Sequence, residues 1–173
     1  LKSLQSNDFE LFGLAQTYAQ DRTQIDARWK DLQRQAHPDK FADQGAAAQR
    51  IAMQWSVRIN EAYQRLKDPL KRAAYLCELN GAPVNAENNT AMPPAFLMQQ
   101  MAWREALDEA ENAEDLEQIS QRVQQASRDV LQKIEQLIDG SQAYTEAVGQ
   151  VRALMFVERF AADVDKRLDQ LEL

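Results

Sequence analysis

The 173-residue chain has a single cysteine, Cys77, and a single histidine, His37. A disulfide framework needs paired cysteines and a structural zinc site needs clustered Cys and His, so neither can be assembled within the chain. Glycine and proline are scarce, at five each. Set against abundant Ala, Leu, Gln, Glu and Arg, whose side chains lose little rotamer freedom in a helix, that scarcity predicts an all-α protein. No window reaches the roughly 18 apolar residues of a membrane span. The opening LKSLQSNDFELFGL also lacks the basic flank, apolar core and cleavage site of a secretory signal. A soluble, cytoplasmic protein is expected. No GxxxxGK[ST] phosphate loop is present, so neither a bound nucleotide nor any other cofactor is expected on this chain.

What is present suits a folded protein: 45% hydrophobic and 27% charged residues. The net charge of −7 is unevenly spread, with twelve Lys+Arg against ten Asp+Glu in residues 1–80 and eight against seventeen in residues 81–173. Opposite balances point to two surfaces meeting different partners, and the acidic total argues against nonspecific binding to nucleic acid.

The hydrophobic pattern divides the chain. A short helix is expected after Asn7 or Asp8, burying Phe9 and Phe12 and ending at Gly13. Asp21 or Thr23 can cap a second helix with an inward stripe Ile25, Trp29, Leu32 and Ala36. Pro38 stops it, and HPDKFADQG reads as a loop. A third helix from about Ala46 to Lys67 carries Ile51, Trp55, Ile59, Ala62 and Leu66 inward. Two amphipathic helices joined by a short loop should pack antiparallel. Asp68-Pro69 starts a fourth helix that Asn80-Gly81 closes. Residues 81–93 then read as a linker, with a three-helix bundle over 94–173. Its helical patterns cover about 93–111, 113–138 and 141–171, broken between the last two by Asp139-Gly140-Ser141. In the middle one, Leu116, Ile119, Val123, Ala126, Val130, Ile134 and Leu137 alternate by three and four. The last shows Ala147, Val151, Leu154, Ala161, Val164, Leu168 and Leu171.

The turn between the second and third helices reads His37-Pro38-Asp39-Lys40-Phe41. The bare tripeptide is unspecific, but its placement carries weight. TQIDARWKDLQRQA precedes it, INEAYQRLKDPLKRAAYL follows, and FELFGL opens the segment. Together these resemble the J-domain, here residues 1–80. No Gly/Phe-rich stretch and no CxxCxGxG repeat follows; KRAAYL leads instead through a short linker to AFLMQQMAWREALDEAE, a pairing that resembles the HscB family of iron–sulfur co-chaperones. The resemblance implies two partners: a DnaK/HscA-type chaperone whose ATPase the J-domain stimulates, and an IscU-like iron–sulfur scaffold carried by the bundle. Pro38 would fix the turn, Asp39 would offer a carboxylate to a cationic partner, and His37 and Lys40 would lie on the same surface. Arg28, Lys30 and Arg34 would steer the encounter.

On the helix from Pro94, the positions Phe96, Trp103, Leu107 and Ala110 form the expected core face. Leu97, Met98 and Met101 are left on its flank beside Glu105 and Glu109. On the last helix Phe156 and Phe160 lie about 120° or more from Leu154 at 100° per residue. The resemblance maps the scaffold contacts onto Leu97, Met98, Met101, Glu105, Glu109 and Phe156. On composition alone Met and Phe in a small bundle are as readily core, Phe160 above all. An enzyme would have to use His37 and Asp39 as base and orienting acid or as metal ligands. With no second histidine, and with Pro38 expected to point the two side chains apart, that reading is weak. A helical adaptor with an accidental HPD is the other alternative. Cys77 reads as a small buried packing residue.

Overall fold

The computed structural model describes residues 3–86 and 89–172. Among them there are seven α-helices and no strand: α1 Asp8–Phe12, α2 Arg22–Ala36, α3 Ala46–Lys67, α4 Pro69–Leu79, α5 Pro94–Glu109, α6 Ala113–Glu135 and α7 Tyr144–Glu172. They belong to two compact units, residues 1–76 and 77–173.

In the first unit local chemistry sets each boundary. Asn7 caps α1 by accepting the Glu10 N–H at 2.9 Å, and Gly13 ends it in the left-handed region at φ 64°. Asp21, not Thr23, caps α2, accepting the Thr23 N–H at 2.9 Å. α2 and α3 run antiparallel: Arg22 reaches the Tyr63 hydroxyl at 3.5 Å, the Trp29 indole N–H donates to Asn60 at 2.9 Å, and Gln33 donates to the Ser56 carbonyl at 3.3 Å. Phe9, Phe12, Ile25, Ile59, Ala62 and Leu66 are buried. Asp68 caps α4 through the Leu70 N–H at 2.9 Å. At its far end the Ala82 N–H donates to the Cys77 carbonyl and the Gly81 N–H to that of Glu78, a Schellman closure with Gly81 at φ 81°.

Three expectations need correcting here. The segment Pro38–Gln44 is not a loop but a 3-10 helix, because Pro38 occupies its first position and His37 caps it. Ile51 is 55% exposed. The inward stripe of α3 instead steps by seven residues through Ala52, Ile59 and Leu66, all buried, so the four-residue extrapolation back from Trp55 chose the wrong neighbour. Leu171, near the end of α7, is exposed too.

The second unit is a three-helix bundle. Trp103 and Leu107 of α5, Leu116, Ile119 and Val123 of α6, and Val157, Phe160 and Val164 of α7 form one cluster. Asn112 caps α6 by accepting the Asp115 N–H at 2.9 Å. Arg167 donates to the Leu107 and Ala110 carbonyls at 3.2 and 3.3 Å, satisfying the C-terminal end of α5. α6 does not break at Asp139. It passes into one π-helical turn, Gln136–Gly140, that buries Leu137 and Ile138 in succession.

Candidate functional site

The first candidate surface lies where α2 meets the 3-10 turn. His37 has an extended backbone, φ −60° and ψ 128°, and its Nδ1 accepts the Asp39 N–H at 3.2 Å, which leaves Nε2 as the N–H-bearing nitrogen. The His37 carbonyl accepts the Lys40 N–H at 3.0 Å. The turn is therefore held by its own residues while its side chains face solvent, His37 being 56% and Asp39 92% exposed. The expectation that Pro38 splays the two side chains is overturned: His37 Nδ1 lies 3.6 Å from Asp39 Oδ2, because the capping bond draws the ring over the turn.

Beside the turn lies a concavity of about 560 Å³ lined by Trp29, Lys30, Gln33, Arg34, His37 and Lys40. Lys30 and Arg34, four residues apart on one stripe of α2, and Lys40 of the 3-10 turn supply the cationic rim, with His37 beside them. Trp29 supplies an apolar floor. Its ring stacks on Tyr63 with centroids 4.6 Å apart, and its N–H is fixed by Asn60. Trp29 is the residue that sequence reasoning did not place at this surface. Trp29 was assigned to the inward stripe, where it is in fact only half-buried. Arg28 does not line the concavity; it lies beside Gly13, where an added Cβ would come 3.1 Å from its Nη1. Arg34 is held by Asp31 at 2.8 Å on the same face.

The second candidate surface is on α5 and α7. Leu97, Met98 and Met101 stand out of the bundle, Met98 and Met101 about three-quarters exposed at 76% and 74%. Glu105 and Glu109 are exposed further along α5. Phe156 does not lie outside the core as expected. It is half-buried, packs against the core cluster, and stacks on Trp103 at 6.3 Å and Phe160 at 6.1 Å. Phe160 is fully buried. Leu97 and Phe156 meet in a cavity of about 320 Å³ that Gln100, Arg152, Met155 and Arg159 also line. Among the described residues no cluster of three or more His, Cys, Asp or Glu could hold a metal ion, and no helix is long and apolar enough to cross a membrane.

An antiparallel helical pair turning on an exposed His-Pro-Asp tripeptide, with a basic concavity at its side, defines the J-domain class of co-chaperone, and the DnaJ domain family model matches residues 8–75. The family model described as the HSCB C-terminal oligomerisation domain matches residues 92–165. The chain belongs to the HscB co-chaperone family. It is 46% identical over 173 residues to a co-chaperone protein HscB homolog of Burkholderia cenocepacia, covering 98% of each chain. It is 47% identical to the Burkholderia thailandensis homolog with the same coverage. The structure of the chaperone HscB from Vibrio cholerae superposes with a TM-score of 0.83 at 34% identity, over 96% of this chain and 99% of that one. The human co-chaperone HscB shares the fold, with a TM-score of 0.81 at 22% identity over 99% of this chain and 85% of its own. Family membership implies co-chaperoning of an Hsp70-type partner.

Proposed function

We propose that this protein stimulates the ATPase of a DnaK/HscA-type chaperone through its HPD turn and delivers an IscU-like iron–sulfur scaffold protein to that chaperone. In this reading residues 1–80 act as the J-domain, 81–93 as linker and 94–173 as client-binding bundle, working in the cytoplasm without a cofactor. The protein is a regulator and not an enzyme: the nucleotide and the hydrolysis belong to the partner. The observation that carries the reading is the exposure of both His37 and Asp39 on a turn stiffened by Pro38 and by the His37–Asp39 N–H bond. A docking element must present its side chains without reorganising, and this turn costs little further entropy on binding.

Mechanistically, Lys30, Lys40 and Arg34, with Arg28 further along α2, raise the encounter rate with an acidic chaperone surface. Asp39 then takes a cationic partner group and His37 Nε2 donates to an acceptor. Because docking must favour the hydrolysis-competent conformation, these contacts have to be better in that conformation than in the other. The bundle meanwhile holds the scaffold on Leu97, Met98, Met101, Glu105, Glu109 and Phe156.

His37→Gln and Asp39→Asn test the docking half. Both side chains are outside any core, so circular dichroism and scaffold binding should be unchanged while stimulation of chaperone ATP hydrolysis in single-turnover assays is lost. Full stimulation by both variants would exclude the HPD turn as the docking element.

A further inference from the structure

Resting on the client-strip reading above, we propose that the cavity beside Leu97 and Phe156 is the cationic end of the client surface. It would take an apolar side chain of the scaffold protein that carries a carboxylate next to it, with Arg159 as the charged contact. Arg152, Met155, Phe156 and Arg159 recur at three, four and seven residues along α7, so one stripe of that helix forms one wall. Leu97 and Gln100 of α5 face it. Of the residues lining the cavity, those that carry charge are both arginines, and no Asp or Glu among the described residues lines it.

The two arginines differ in what they are free to do. Arg152 is committed to the chain itself, its Nε donating to the Val84 carbonyl at 3.0 Å and its Nη1 to that of Ala91 at 3.1 Å. Arg159 is exposed and makes no ion pair among the described residues. The carboxylate one turn beyond it, Asp163, is already held by Arg104 at 3.1 Å. A cation lining a cavity whose apolar wall is Leu97, Met155 and Phe156, with its neighbouring carboxylate occupied elsewhere, is complementary to an apolar side chain beside an acid.

The other end of the strip has the opposite sign. Glu105 and Glu109 are exposed on α5, and Glu109 is twelve residues from Leu97, about 18 Å at the helical rise of 1.5 Å per residue. That exceeds the Debye length of about 8 Å at physiological ionic strength, so the two ends act on the client independently. Positive at the cavity and negative at the far end, the strip fixes the direction in which the client lies along it.

The test titrates purified iron–sulfur scaffold protein into full-length variants by calorimetry, at low and at high salt. Arg159→Glu should weaken binding about tenfold at low salt, with the loss shrinking at high salt and the melting temperature unchanged. Arg159→Lys should hold most of the affinity, and a single Asp or Glu→Lys change on the scaffold should restore binding to Arg159→Glu. Wild-type affinity in Arg159→Glu, alongside loss in Leu97→Ala/Met101→Ala, would overturn the cationic end while leaving the strip in place. Equal loss in Arg159→Lys and Arg159→Glu would overturn the charge role. Wild-type affinity in Leu97→Ala/Met101→Ala as well would remove the strip reading and this proposal together.

Discussion

Asp8 has no exposed surface, yet it lies between two arginines. Its carboxylate is gripped by Arg65, through Nε at 2.6 Å and Nη2 at 2.8 Å, and by Arg58 at 2.8 Å. Arg58 also donates to the carbonyls of Leu4 and Ser6, and the Tyr75 hydroxyl accepts the Asp8 N–H at 3.0 Å. One buried acid thus ties α1 and the segment before it to α3 and α4. Hydrogen bonding to Asp8 is also the main cause that raises the Arg65 guanidinium above its ordinary value. Asp8→Ala should cost about 3 kcal/mol in denaturant unfolding, the low end for breaking a buried pair, because Arg65 can still reach water. A change below about 0.5 kcal/mol, the scale of an ordinary surface substitution, would show that the pair does not hold the unit together. None of this was legible in the sequence, where Asp8 reads as a cap-type residue, because its partners lie 50 and 57 positions away. Cys77 was legible as a buried packing residue, and burial pushes its thiol from 9.0 up to about 11, with Arg152 pulling weakly the other way. A group whose folded pKa is raised contributes stability that is complete below the unfolded value and is lost as pH climbs through the folded one. The unfolding free energy of wild type relative to Cys77→Ala should therefore be constant up to pH 9.0 and decline from there to about 11. Parallel curves through that window would mean the thiol titrates alike in both states.

At the scale of elements, the helices whose faces are set by many repeats were readable and those set by one neighbour were not. The α6 stripe from Leu116 to Leu137 is inward at every step, with Ala126 partly buried, since seven positions at helical spacing over-determine a face. The start of α3 rests on Ile51 against Ala52, and hydrophobicity favours the wrong one: Ala52 is buried and Ile51 is exposed. The π turn was unreadable because Leu137-Ile138 followed by Asp139-Gly140 carries the ordinary signs of a helix end. On α5 the flank Leu97, Met98 and Met101 was read correctly as standing off the core, whereas Phe156 on α7 was not. That difference separates their mutants. Leu97→Ala, Met98→Ala and Met101→Ala should leave the melting temperature within about 1 °C, as exposed substitutions do, and each anchor that is a hot spot should cost about 1–3 kcal/mol of scaffold affinity. Phe156→Ala should cost affinity and, by unstacking from Trp103 and Phe160, about 2 kcal/mol of stability as well. Calorimetry of unfolding and of binding on the same four variants checks both. A stability loss in Met101→Ala equal to that in Phe156→Ala would place the strip in the core.

The whole molecule puts the exposed HPD turn and the Leu97–Met98–Met101 strip in one chain, each on its own compact unit. If delivery is the function, the covalent connection matters in itself. It turns the meeting of client and chaperone from a bimolecular event into one governed by an effective concentration in the millimolar range for short connections. Two full-length variants isolate that effect. His37→Gln keeps the client strip and loses docking; Leu97→Ala/Met101→Ala keeps docking and loses the client. The second alone should give the basal stimulation of chaperone ATPase but not the further increase seen when scaffold is present with wild type, and the first should give neither. Mixed in equal amounts, they supply every contact, yet no single chain bears both. At micromolar concentrations the mixture should therefore show basal stimulation with no scaffold-dependent increase, because a client held on one chain gains no proximity to a chaperone docked on the other. Restoration of the wild-type increase in the mixture would mean that tethering contributes nothing: either the scaffold reaches the chaperone without being carried, or the two variants assemble into a complex that joins the surfaces again. Repeating the mixture across a tenfold dilution separates those two, since an assembly falls apart on dilution and an uncarried client does not depend on the co-chaperone's strip at any concentration.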